Sequence, residues 1–112
     1  METPASGKLA FHHTKGVTFV NPADIVYCES DSNYCTLHFR DGGRLVVCKK
    51  LKEVESALPQ GEFMRVHHSY LIRLSCVLNY QHQGSQLLLS NGKAVPVARR
   101  RKKEVMARFT TV

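Results

Sequence analysis

Apolar residues fall in short runs, several of them alternating with polar ones, and turn-forming clusters interrupt them regularly. Residues 8–11 and 16–20 flank His12-His13-Thr14-Lys15, which predicts a hairpin. Asn21-Pro22-Ala23-Asp24 then breaks the pattern, because proline removes a ladder donor. Residues 25–30 and 34–39 read as strands around the loop Asp31-Ser32-Asn33, and Asp41-Gly42-Gly43 turns the chain into a return strand over 44–48. Leu51, Val54 and Leu58 recur at helical spacing and predict a short helix, closed by Pro59-Gln60-Gly61. The β pattern resumes at 63–67, 70–74 and 77–81. It ends in a hairpin of 86–89 with 94–97 across Ser90-Asn91-Gly92-Lys93, where Pro96 points to an edge strand. Residues 100–109 suit a short C-terminal helix or turn. The expected fold is mostly β, eight to ten short antiparallel strands with one firm helix between them.

The chain has 112 residues, enough for one domain with a real core. Apolar residues make up 43% and charged residues 22%, an ordinary globular balance. We expect a domain over 8–109, a disordered N-terminal segment over 1–7 and a short tail over 110–112. No apolar run approaches the roughly 20 residues of a membrane helix, and no secretory signal is visible. The four cysteines, Cys28, Cys35, Cys48 and Cys76, form no C-x-x-C pair, and most read as reduced core residues of a cytoplasmic protein. His12-His13 and His67-His68 are adjacent pairs that splay across a strand, unlike zinc-ligand spacing. No phosphate-binding glycine loop or nucleophile motif appears, so neither cofactor, metal nor enzymatic activity is expected.

The charge is concentrated. Of a net +7, five positive charges lie in the single run Arg99-Arg100-Arg101-Lys102-Lys103. A localised cationic patch concentrates a polyanion, and arginine's planar fork fits phosphates and the guanine edge. The competing readings are a solvated basic terminus or a membrane-surface patch. Arg65-Val66-His67-His68-Ser69-Tyr70 offers Arg65, His68 and Ser69 as donors to phosphate or base edges. In an extended segment its two histidines point to opposite faces, and we expect His67 inward and His68 outward. Ser30-Asp31-Ser32-Asn33-Tyr34-Cys35 holds residue types that read bases, although a plain polar loop explains it as well.

Taken together, these stretches resemble the LytTR family of DNA-binding domains, the output domains of LytR/AlgR-type response regulators. Asp24-Ile25-Val26-Tyr27-Cys28-Glu29-Ser30 with Asn33-Tyr34, Leu51-Lys52-Glu53-Val54-Glu55 with Leu58, residues 63–72, and residues 87–103 carry the resemblance. It implies an elongated arrangement of short antiparallel sheets. It also implies a bacterial transcription regulator that binds specific double-stranded DNA by placing loops in successive major grooves. Base-reading residues would be Asn33, Tyr34, Cys35, His68, Ser69 and Arg99. Phosphate contacts would come from Lys49, Lys50, Arg65, Arg100, Arg101, Lys102 and Lys103. Direct repeats bound by two copies, and a receiver domain in a longer parent chain, are further implications. The sequence departs from the family's pattern at Arg73, Ala98 and His68. Two other classes compete: a small β-barrel binding single-stranded nucleic acid, and a protein-interaction module with a basic tail. The first would need aromatic rings displayed on one sheet face.

Overall fold

A computed structural model describes residues 7–112. The expectation for the N-terminal segment falls, Gly7 apart, outside them. Ten strands and two short helices follow one another: β1 (Leu9–His13), β2 (Gly16–Val20), β3 (Ile25–Asp31), β4 (Tyr34–Phe39), β5 (Arg44–Val47), α1 (Leu51–Ala57), β6 (Phe63–His67), β7 (Tyr70–Arg73), β8 (Val77–Gln81), β9 (Gln86–Leu89), β10 (Ala94–Pro96) and α2 (Lys102–Met106). They form a β1-β2 hairpin, a central five-stranded sheet ordered β5-β4-β3-β7-β6, and a three-stranded sheet ordered β10-β9-β8. Every pairing is antiparallel. The molecule measures 43 × 30 × 25 Å, elongated as the resemblance implied.

The central sheet is covered on both faces, so its side chains feed two separate cores. On one face Cys28, Cys35, Leu37, Val47 and Leu71 pack against Phe11 and Val20 of the hairpin and Leu51 and Val54 of α1. On the other, Tyr27, Val66 and Ile72 pack against Leu87, Leu89 and Val95 of the small sheet and Val105 of α2. Helix α1 spans only two turns and is marginal alone, so its buried Leu51 and Val54 hold it in place.

Two bulges adjust this alternation. In β3 the register skips Val26, which puts Val26 and Tyr27 into the same core. In β6 it skips Val66. The released Val66 carbonyl accepts from the Ala98 N–H at 2.8 Å. Pro96 lies on β10, an edge strand, as its missing donor requires. Gly92 takes φ 88°, the left-handed conformation that closes the β9-β10 turn.

Arg73 is buried at the far end of β7. Its Nε donates to Ile25 O at 2.8 Å, Nη2 to Pro22 O, and Nη1 to Glu62 at 3.0 Å, while its guanidinium lies 4.5 Å over the Phe63 ring. A charge this deep persists only with such a set of partners. Here they tie the Pro22–Asp24 3-10 turn to β6 and β7.

Candidate nucleic-acid interface

Antiparallel register decides which chain ends meet. Val47 at the end of β5 pairs Cys35, and Tyr34 at the start of β4 pairs Asp31 at the end of β3. Glu29 pairs Tyr70, which opens β7, and Tyr70 pairs His67, which closes β6. The β3-β4 turn, the β6-β7 turn and the segment after β5 therefore share one end of the sheet. A Ser30 N–H to Ser69 O bond of 2.9 Å joins the first two directly. With neighbouring strands about 4.8 Å apart, the five strand ends span roughly 19 Å.

The basic run joins this row through its first residues. Val97 N–H donates to Ser85 O at 2.9 Å and Ala98 N–H to Val66 O at 2.8 Å, so Arg99 emerges beside the end of β6. Val105, fully buried, then pins α2 onto the second core. The sequence candidates Asn33, His68, Ser69 and Arg99 are thus brought to one region of the fold. Asn33, Tyr34, His68, Arg99, Arg100, Lys102 and Lys103 are exposed there, and Ser69 is half-buried.

One candidate differs from expectation, and two others make contacts within the fold. Cys35 is fully buried: alternation along β4 turns Tyr34 outward and Cys35 into the core beside Cys28, so its thiol reaches no groove. The bond between the two thiols and the nearby Arg65 charge lower the Cys35 pKa, against its burial, while Cys28 is pushed up by the same bond and by desolvation. Of the four cysteines only Cys48 is exposed. Arg65 is committed to the turn it precedes. Its Nε donates to His67 O at 3.3 Å and its Nη2 to His68 O, which positions the turn. Arg101 is half-buried, its Nη1 3.5 Å from Arg65 O, so it folds back on β6 while its neighbours face out.

The remaining geometry explains how the turns keep their shape. Ser69 N–H donates to His67 Nδ1 at 3.1 Å, and burial together with the His68, Arg101 and Arg65 charges lowers the His67 pKa. His67 is accordingly the half-buried structural histidine, and His68 stands outside it with ring centroids 4.3 Å apart. Tyr70 donates its hydroxyl to Glu29 at 2.9 Å, and burial and that carboxylate push its pKa up to about 12. Lys49 lies 3.8 Å from Glu53 on α1, a half-exposed pair that holds Lys49 only weakly. Lys50 is exposed beside it. The sequence reads Gln83-Gly84-Ser85 as a turn and gives it no functional role, although Ser85 anchors the segment that leads to Arg99.

Among the described residues no cluster of His, Cys, Asp or Glu suits a metal ion, and no helix is long and apolar enough to cross a membrane. What the region offers is hydrogen-bond donors and positive charge, chemistry suited to a polyanion with readable edges.

Comparison with known proteins agrees with this chemistry. Residues 15–110 match the family described as LytTr DNA-binding domain. The CO-responsive transcriptional regulator RcoM of Rhodospirillum rubrum is 33% identical over 85 residues, covering 72% of this chain and 36% of RcoM. The sensory transduction protein LytT of Bacillus subtilis is 26% identical over 101 residues, covering 88% of this chain and 42% of LytT. The chain thus spans under half the length of these relatives. A solved LytTr DNA-binding domain of a putative methyl-accepting/DNA response regulator from Bacillus cereus superposes with a TM-score of 0.75 at 21% identity, over 90% of this chain and 94% of that one, and so shares the fold. The chain belongs to the LytTR family of DNA-binding domains.

Proposed function

We propose that this domain binds specific double-stranded DNA as the output module of a bacterial transcription regulator, using its turns in successive major grooves. The observation that carries the reading is the convergence of the β3-β4 turn, the β6-β7 turn and the basic run at one end of a rigid sheet. A row of about 19 Å exceeds the roughly 12 Å width of a major groove, so donors at its two ends address different parts of the duplex. Asn33, Tyr34, His68, Ser69 and Arg99 read base edges. Arg100, Lys102, Lys103, Lys49 and Lys50 engage phosphate, while Arg65 holds the β6-β7 turn and Arg101 packs back on β6.

Two copies on direct repeats, and a receiver domain in a longer parent chain, complete the proposal. The relatives' greater length and the description of one as a sensory transduction protein support the second element. The test is a titration with duplexes enriched from a random pool, random duplexes and single strands, over a salt series. We expect preference for the enriched duplex. Log affinity should fall against log salt with a slope of about −0.9 per phosphate engaged. Equal affinity for all three nucleic acids would reject sequence reading, and stronger binding to single strands would favour the other nucleic-acid class.

A further inference from the structure

The turn between β8 and β9, residues 82–85, lies against the segment that carries Arg99. Ser85 O accepts from Val97 N–H at 2.9 Å, and the next residue, Ala98, bonds to Val66 beside the His68 turn. The segment leading to Arg99 is therefore clasped between this turn and β6, and only β6 and its following turn figure in the proposed interface. A second link is independent of this backbone pairing. The Lys102 ammonium lies 5.0 Å over the Tyr80 ring, and the Tyr80 ring meets His82 edge-on at 5.3 Å. The basic run and the turn are thus also linked through the Tyr80 ring of β8.

The turn is built to hold a shape. Gln86 Nε2 donates to Gln81 Oε1 at 2.9 Å across its base. Gly84 at φ 87° and Ser85 at φ 47° adopt the left-handed conformation, and a Cβ on Gly84 would meet the Gln86 amide at 3.6 Å. Residues 82–85 are all exposed, with Gln83 at the tip. A glutamine amide donates and accepts together, so it can bond either a base edge or the sugar-phosphate backbone.

We infer that this β8-β9 turn is a further DNA-contacting element, in which Gln83, flanked by His82, touches the duplex just outside the contact made by Arg99. The inference rests on the duplex-binding reading. A glutamine carries no charge, so its contact strengthens binding without releasing counterions, unlike the basic run beside it.

The experiment compares wild type, Gln83→Ala, Gln83→Lys and the far-end control Gln60→Ala on the duplex that wild type enriches from a random pool, by footprinting and salt titration. Gln60 is exposed between α1 and β6, at the opposite end of the central sheet. We expect Gln83→Ala to lose about three- to tenfold in affinity, with an unchanged salt slope and protection shortened at one end only. Gln83→Lys should bind more tightly than Gln83→Ala and steepen the slope by about one. This gain does not arise from a misfolded protein. Gln60→Ala should match wild type. If wild type binds duplex while both Gln83 variants keep its footprint, affinity and slope, the turn is not a contact and the inference falls alone. If wild type enriches no duplex, the reading beneath it falls instead.

Discussion

Arg99 and Lys103 differ in what they can do for the same run of charge. Arg99 follows a segment clasped by two backbone hydrogen bonds, and its proposed role is that of a reader. Lys103, exposed on α2, supplies a point charge. We predict that Arg99→Ala costs about 1–3 kcal/mol on the enriched duplex and relaxes preference at one base pair. Lys103→Ala should instead weaken all duplexes alike and lower the salt slope by about one. Equal losses on enriched and random DNA for Arg99→Ala would remove its assigned role. His68 is exposed on the β6-β7 turn, so His68→Ala should weaken binding to the enriched duplex, and an unchanged affinity would place His68 away from DNA. Asn33, His68 and Arg99 are exposed as the sequence led us to expect, because turns display their side chains. The sequence misassigned Cys35 and did not show the backbone contacts of Arg65 and Arg101, since burial in a particular strand face and hydrogen bonding to a neighbouring carbonyl depend on tertiary neighbours.

Among the elements, the strands and the helix were readable because alternation and helical spacing reflect which face is buried. The hairpin signals at Gly42-Gly43 and Asn91-Gly92 located their turns, and Pro96 located an edge. The bulges at Val26 and Val66 left no local trace, because a bulge is defined by the partner strand. Yet the Val66 bulge frees the carbonyl that receives Ala98 and so seats the basic run. Arg73 was noticed only as a departure from the family's pattern. Its bonds to Ile25, Pro22 and Glu62 make it the tie between the 3-10 turn and the far end of the sheet. Arg73→Leu should therefore lower unfolding stability by about 2–4 kcal/mol, because it strands buried carbonyls. Urea denaturation measures this. A variant as stable as wild type would show that these carbonyls find other partners. The Arg73 side chain lies at the end of β7 away from the turns, so DNA affinity at low temperature should change little.

At the scale of the whole molecule, the two cores on opposite faces of one sheet make the end that bears the turns a rigid frame. Rigidity matters because donors held in fixed relation match a duplex without an ordering cost at binding. Shape constrains the proposed pairing of copies on direct repeats. The long dimension of 43 Å exceeds the roughly 34–36 Å of one DNA turn, whereas the other extents, 30 and 25 Å, do not. Repeat spacing therefore reports which axis lies along DNA. Copies one turn apart require a shorter axis along the duplex, and copies laid lengthwise require about two turns.

The most direct measurement selects duplexes from a random pool with wild type and with Asn33→Ala, His68→Ala and Arg99→Ala in parallel. The account predicts a single wild-type motif from which each variant loses preference at a different base pair, with all three positions accessible from one side of the helix. Three variants that enrich the unchanged wild-type motif would contradict it.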